Sequence, residues 1–467
     1  MSNPKIQQYS SHTFMSKWLR SPLGAVVAKP WFDRLTMKML DRWYFPLSRM
    51  WAAARAAGGS VDKYFAEIGL PATPALEKRV ALILQEFEVR RDHSKLADDN
   101  WQDAFFGDGN VTTEQLLGIE QARLDCRHHF NSMRSKLLTL GISQKISALK
   151  WQVPTLEEVS TSYDKWLERP LELFELPENL PEVTKSKTFQ GTVGTNYWLR
   201  FQSPSTLTND VVTARVYEPE NVKNPPTLIY GHGICVEYDH WRGLIDEVEA
   251  LVKMGVRVIR PEAPWHGRRT PHDRFGGEQF IATSPRGPFD HFCAAVLEWA
   301  VLIDWSRNSS TGPVALGGTS LGSMTAHLVA DRARHWPERL HPDALLMITH
   351  SRGVADAMFR GKLSDTWGIK AATSKLGWTA EAMQKYMTLL DTHGPTVVAP
   401  ENVVSILGNR DNVTPYDAAI ELLDEWNVPQ ENRFDWQRGH FSVPLTMIHD
   451  HAPLRKFIEI LKRQSTT

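Results

Sequence analysis

The sequence predicts an α/β chain with a mostly parallel central sheet flanked by helices, preceded by a helical N-terminal region. Three observations predict it. Helical patterns fill residues 1 to about 185. From Thr184 onward, short apolar runs of strand length alternate with helical stretches. A serine, an aspartate and a histidine then follow three of those runs, in that chain order.

The bulk numbers fit a globular chain. At 467 residues it is long enough for two or three domains, or for one large α/β domain with insertions. A hydrophobic content of 42% and a charged content of 23% are ordinary. A net charge of −1 gives no electrostatic case for nucleic acid or an anionic membrane as partner. Cys126, Cys235 and Cys293 are too far apart for a metal motif or a disulfide framework, so a reducing cytoplasm is the expected location. The seventeen tryptophans read as buried bulk or pocket wall. Lys5, Lys17 and Arg20 precede the apolar piece Pro22–Ala28, but that piece is short and broken by Pro22 and Gly24, so secretion is not expected. No run reaches the ~20 apolar residues of an integral membrane segment. Phe14, Trp18 and Leu19 could make at most a surface contact.

Within the first region, Thr73-Pro74 supplies an N-cap and a first-turn proline. Leu76, Val80, Ile83, Leu84 and Phe87 then fall on one helical face. Thr155 with Glu158 forms a capping-box pattern for a helix running to Arg169, before Pro170. The stretch with Pro170, Pro177 and Pro181 reads as a linker, giving a helical region at 1–185 and a second domain at 186–467.

In the second region the strand-like runs are Val211–Tyr217, Thr227–Tyr230, Val256–Ile259, Val314–Leu316, Ala344–Ile348, Val403–Leu407 and Arg433–Trp436. Helical stretches such as Leu244–Met254 and Phe292–Trp305 separate them, as in βαβ units. Ligands in such sheets bind at the carboxyl ends of the strands. Those ends carry, in order, Gly231-His232-Gly233-Ile234, then Pro264-Trp265-His266-Gly267-Arg268-Arg269, then Gly318-Thr319-Ser320-Leu321-Gly322. His350-Ser351-Arg352, Gly408–Asp411 and Gly439-His440 follow.

On these residues the segment from about 186 to 467 resembles the α/β-hydrolase superfamily. The Gly-Thr-Ser-Leu-Gly pentapeptide is similar to its nucleophile elbow, and Gly231-His232-Gly233 looks like its oxyanion loop. The resemblance implies Ser320 as nucleophile, Asp411 as acid and His440 as base. The helical extension resembles those of some dienelactone-hydrolase-like esterases. The first 185 residues lie outside the resemblance.

The chemistry is consistent with that assignment. A serine hydroxyl needs an adjacent base to become a nucleophile. His440 can take that proton, and Asp411 would fix its tautomer. Gly318 and Gly322 would clear space around a sharp strand-to-helix turn. The backbone N–H of Leu321, at a helix start, is the first expected oxyanion donor, and that of Ile234 or Cys235 the second. His232 is expected to brace this loop beside Gly233.

Plainer readings exist for each residue. A Gly-x-Ser-x-Gly match alone is weak, but here it lies between a strand and a helix, with the partners 91 and then 29 positions on. Asp411, before Asn-Val-Thr-Pro, is also good turn chemistry, and Asp417 and Asp424 are the alternatives to it. Among the other histidines, His393 reads as a helix stop. His449 and His451 lie two apart and do not face each other as a metal pair would. Arg268, Arg269 and Arg352 read first as salt-bridging residues, and second as holders of a substrate carboxylate. Trp265 is a further substrate-binding candidate, and Glu237 and Asp239 could line the mouth.

The interval 353–400 is too long for one crossover. It reads as a helical cap insertion, or equally as a core helix, with Met383, Tyr386, Met387 and Leu390 on one face after the cap residue Thr379. Trp367 and Trp378 would add apolar wall. The N-terminal helices would complete the cap or form a homodimer face.

The expected function is therefore hydrolysis of a carboxylic ester or related acyl bond in a small-molecule substrate, with no metal and no cofactor. Acyl transfer, or C–C or amide cleavage by the same triad, is the alternative within catalysis. A non-catalytic hydrolase-like scaffold is the alternative of another class.

Overall fold

Local sequence explains most of the N-terminal helices. The computed structural model of the chain describes residues 21, 29–236, 247–392 and 394–465. The features noted at Phe14, Trp18, Leu19, Pro22–Ala28, Glu237, Asp239 and His393 lie outside these residues. Helix α1 (Pro30–Met39) runs through a π-turn at Leu40–Tyr44 into α2 (Phe45–Ala57). Pro46 explains the π-turn: it has no N–H to offer, and the Phe45 N–H reaches back five residues to the Leu40 carbonyl. Gly58, at φ 54°, ends α2. Helix α3 (Val61–Ile68) is capped by Ser60, and the long α4 (Pro74–Phe106) by Thr73. Capping boxes start α5 (Thr113–Asn131), from Thr112 and Gln115, and α7 (Leu156–Leu167), from Thr155 and Glu158, with the short α6 (Met133–Leu138) between them. On α4, Val80, Leu84 and Phe87 are buried and Leu76 and Ile83 half-buried, as the periodicity requires.

The proline-rich stretch after α7 is not a free linker. Residues Pro170–Phe174 form a 3₁₀ turn, and the Phe174 ring is 2% exposed. Trp336 Nε1 donates to its carbonyl, and the Arg332 guanidinium lies over its ring. An apolar ring available to a buried partner outweighs the linker-like composition around it.

The sheet has ten strands among the described residues. They are β1 (Thr184–Lys185), β2 (Phe189–Gln190), β3 (Thr195–Gln202), β4 (Val211–Glu218), β5 (Thr227–Gly231), β6 (Arg257–Pro261), β7 (Val314–Thr319), β8 (Ala344–Ile348), β9 (Val403–Gly408) and β10 (Arg433–Trp436). The order is β1-β3-β4-β6-β5-β7-β8-β9-β10, with β2 on β3. From β6 to β10 all neighbours are parallel, while β4 joins β3 and β6 antiparallel. Strands β1 to β3 are absent from the sequence-based reading. β2 and β3 are held by a separate aromatic cluster, Trp198 with Trp101, Phe105 and Phe189, in which α4 covers the sheet edge, and β1 pairs with β3.

The connecting helices follow in order. Helix α8 (Val248–Lys253) precedes β6, and α9 (Glu278–Ala282) and α10 (Arg286–Ser309) precede β7. Helix α11 (Leu321–Ala333) follows β7. The interval between β8 and β9 holds α12 (Val354–Arg360), α13 (Lys362–Trp367), α14 (Ile369–Ser374) and α15 (Ala380–Met387). Helices α16 (Tyr416–Glu425), α17 (Ser442–Met447) and α18 (Ala452–Gln464) complete the chain.

One hydrophobic cluster joins Phe45 and Trp51 of α2, Val80 of α4, Phe292 of α10, Met324 of α11 and Met387 of α15. The N-terminal helices therefore share a core with the sheet. A second cluster, including Leu228, Val258, Ala315, Val404 and Phe457, covers the other face. Met383, Tyr386 and Met387 on α15 are all buried. Trp378 Nε1 donates to the Pro154 carbonyl, and Tyr386 Oη to Asp164, so this apolar face bolts α15 to the N-terminal region instead of lining an open pocket. Trp367 packs edge-on against Phe45. Among the described residues no helix is long and apolar enough to cross a membrane.

Candidate active site

Ser320 sits between the last residue of β7 and the first of α11, at φ 56° and ψ −115°. A side chain costs energy in this region, and such strain persists only where the surroundings impose it. Here they do. The Ser320 N–H donates to the Ile348 carbonyl on β8, and the Gly322 N–H to the His232 carbonyl after β5. The turn is sharp because three glycines meet there. A Cβ on Gly322 would lie 2.2 Å from the carbonyl carbon of Gly231, and one on Gly318 would lie 2.5 Å from the Gly322 carbonyl carbon. So the clearance is needed chiefly where β5 passes the elbow.

Asp411 follows β9, and His440 follows β10. The His440 Nδ1–H donates to Asp411 Oδ2 at 2.7 Å, and Ser320 Oγ lies 3.1 Å from His440 Nε2. The Asp411 carboxylate is fully engaged: Oδ1 accepts from the N–H groups of Val413 and Thr414, and Oδ2 from Thr414 Oγ1 as well as the imidazole. An acceptor-only carboxylate facing Nδ1 places the ring proton there. That leaves Nε2 as the acceptor for the serine hydroxyl. All three side chains are buried, with Ser320 7% exposed.

The loop after β5 separates the two expected oxyanion donors. Val236 N–H returns to the Gly233 carbonyl, closing a turn with Cys235 at φ 60°. The Cys235 N–H donates to His266 Nε2 at 3.1 Å. It is therefore occupied, and Cys235 is removed from the candidates for oxyanion donor. Among the described residues no acceptor takes the Ile234 N–H. Gly233 packs on Ser320, since a Cβ there would lie 3.8 Å from the serine Cβ.

Two neutral histidines hold this loop. His232 Nε2 accepts from the Ala263 N–H, so its Nδ1–H donates to the Gly233 carbonyl. By the same logic His266 Nε2 accepts from Cys235 and its Nδ1–H donates to the Pro264 carbonyl. Burial, helped by the neighbouring His266, lowers the His232 pKa to about 3.

The N-terminal helices and the 353–400 insertion reach the same loops. Tyr44 Oη donates to the Cys235 carbonyl at 3.1 Å. Asp33 accepts from the backbone just after His440. The Lys362 N–H at the start of α13 donates to the Asn412 carbonyl, beside Asp411. A cavity of about 500 Å³ lies between α4, α5 and the loop after β6, with His232 and Val236 in its wall.

The remaining candidates are placed as follows. Arg268 lines that cavity, but it pairs with Asp98 and Glu262 and lies over Trp101. Arg269 is buried against Glu298 and Asp210. Arg352 pairs with Glu425 at 2.5 Å. Trp265, at φ 62°, packs against the core beside His291. The plainer salt-bridging reading thus describes the surroundings of all three arginines. Thr414 was missed from the sequence, although Asp-x-x-Thr turn chemistry could have flagged it. Tyr44 and Asp33 carry no such signal.

A mixed sheet of this order, parallel from β6 to β10, with a serine on a strained strand-to-helix turn and an acid and a histidine after later strands, is the α/β-hydrolase fold. Residues 155–343 match the family described as "Alpha/beta hydrolase domain containing 18", a span that holds Ser320 and ends before Asp411. Among solved structures, the chain resembles acetyl xylan esterase 1 from Thermoanaerobacterium sp. JW/SL YS485 at 16% identity, over 66% of this chain and 99% of that one, with a TM-score of 0.44. It resembles an S-formylglutathione hydrolase from Agrobacterium tumefaciens at 16% identity, over 59% and 98%, with a TM-score of 0.38. No curated protein sequence matches.

Proposed function

We propose that the chain is a serine hydrolase that cleaves a carboxylic ester or related acyl bond of a small molecule. The observation that carries this reading is the bridging imidazole: His440 contacts Asp411 Oδ2 at 2.7 Å and Ser320 Oγ at 3.1 Å, one ring nitrogen to each. As Ser320 Oγ attacks the acyl carbon, His440 Nε2 takes its proton. Asp411 holds the ring and stabilises the imidazolium. The developing oxyanion faces the N–H of Leu321, the first residue of α11, and that of Ile234. His440 then returns the proton to the leaving oxygen. An acyl-Ser320 forms, and water deprotonated by His440 releases the acid.

The wide spacing of Cys126, Cys235 and Cys293 along the chain fits a reducing compartment such as the cytoplasm. The test is a fluorophosphonate, with the adduct located by peptide mass spectrometry. A stoichiometric adduct on Ser320, lost in Ser320→Ala and His440→Ala, is the expected result. A folded protein with no adduct would remove the reading and favour a scaffold.

A further inference from the structure

We infer that Asp33, on the first described helix, is a positioning residue for His440; this rests on the serine-hydrolase reading above. Asp33 Oδ1 accepts from the N–H groups of Phe441, at 2.6 Å, and Ser442, at 3.2 Å. Its Oδ2 accepts from the Ser442 hydroxyl at 2.6 Å. The Ser442 oxygen in turn accepts the Gly439 N–H at 2.9 Å. One carboxylate thus gathers the backbone on both sides of His440, directly or through one hydroxyl.

The chain makes room for it. A Cβ on Gly439 would lie 2.5 Å from the Asp33 carboxyl carbon. The residue before His440 has no side chain in the space that the Asp33 carboxylate fills. The opposite side of the same loop is fixed from the acid loop, where the Arg410 N–H donates to the Arg438 carbonyl. His440 is therefore held between two supports, and only the one from β9 lies within the catalytic fold itself. Without Asp33 three donors lose a charged acceptor, and the loop can shift the imidazole relative to Ser320 Oγ. A displacement of about 1 Å can cost on the order of 100-fold in rate.

The experiment measures fluorophosphonate labelling of Ser320 in the full chain, separating the maximal inactivation rate from the inhibitor concentration at half-maximal rate. Asp33→Ala is expected to lower the maximal rate at least about tenfold, with the half-maximal concentration unchanged. Asp33→Asn keeps an oxygen for the two N–H groups and should recover most of that loss. Gly439→Ala should mimic Asp33→Ala by pushing the carboxylate away. In the double variant the methyl occupies vacated space, so the two effects should not multiply. Labelling of Asp33→Ala at the wild-type rate, or rates that multiply in the double variant, overturns the proposal. If Asp33→Ala does not fold, Gly439→Ala against Asp33→Asn decides, with equal wild-type rates in both as the overturning result. If the wild-type chain is not labelled at Ser320, the hydrolase reading itself fails, and this one with it.

Discussion

The phenol of Tyr44 donates to the carbonyl of Cys235 at 3.1 Å, joining residues 191 positions apart. Tyr44 closes the π-turn that Pro46 forces into the first long helix, and Cys235 stands at positive φ in the loop over Ser320. The helical extension thus sets the position of the loop over Ser320. Tyr44→Phe leaves the ring and removes the hydrogen bond, a loss of about 1 kcal/mol. The labelling rate at Ser320 should fall roughly fivefold, with the melting temperature nearly unchanged. An unchanged rate would show that the loop holds its shape without this contact.

Asp411→Asn tests the tautomer. The side-chain oxygen can still accept the Val413 and Thr414 N–H groups, so the turn should survive. The new NH₂ would face His440 Nδ1 and drive the ring proton to Nε2, leaving no base for Ser320. Turnover should drop on the order of 10⁴-fold in a folded protein. A loss under about tenfold would mean that Asp411 is not the orienting acid.

Gly322→Ala tests the elbow. The added methyl would lie 2.2 to 2.6 Å from backbone atoms of Gly231, and neither β5 nor α11 is free to yield. Overpacking of this kind costs about 1–3 kcal/mol or more. Chemical denaturation should show that loss, and Ser320 labelling should fall with it. Full stability would mean that the β5–elbow contact is looser than the structure has it.

Acid should destabilise the fold through buried neutral histidines. Burial is the largest cause lowering the pKa of His232 to about 3, of His327 to about 3 and of His350 to about 4. In the unfolded chain each lies near 6.5. Between those values the unfolded state binds more protons, so stability rises with pH across that window. Their contribution is complete above about pH 6.5 and is lost as pH falls toward 4 and then 3. At pH 5.5 each should cost about 1.4 kcal/mol relative to pH 7.5. Urea titrations at the two pH values measure this, and His327→Leu should reduce the difference by about that amount. A pH-independent midpoint would count against it.

Arg269→Ala should destabilise the chain by about 3–5 kcal/mol. Arg269 makes hydrogen bonds to both Glu298 oxygens and to Asp210, with side-chain exposures of 1% for Arg269 and 2% for Glu298. Burial already pushes the Glu298 carboxyl up, and without the Arg269 guanidinium this buried carboxylate would keep the Ser203 hydroxyl but lose its counter-ion. A further Glu298→Leu change should return part of the loss, which thermal melts of the two variants would show.

Much of the α/β-hydrolase fold was legible because its signals are local. Apolar runs mark β5, β7, β8 and β9, whose residues are almost all buried and so read as near-continuous hydrophobic stretches, while β6 is marked by Val258 and Ile259 between two arginines. Thr73, Thr155 with Glu158, and Thr379 cap helices from within a few residues. Ser320, Asp411 and His440 stand out because each follows a strand. β1 to β3 were missed because Trp198 and Phe189 are stabilised by Trp101 and Phe105 on a distant helix, and sequence order gives no sign of that. The segment around Phe174 looked like a linker for the same reason, since its buried partner, Trp336, lies in another part of the chain.

The sequence by itself determined the strands β4 to β10 and the capped helices, and which residue types stand at the strand ends. Periodicity, capping and glycine clearance act over a few residues, so they can be read along the chain. Only the tertiary structure decided that Cys235 N–H is taken by His266, that α15 packs inward, and that Asp33 and Tyr44 support the loops of His440 and Cys235. Those contacts span tens to hundreds of positions. Whether a polar group is occupied or available depends on what folding brings to within about 3 Å of it.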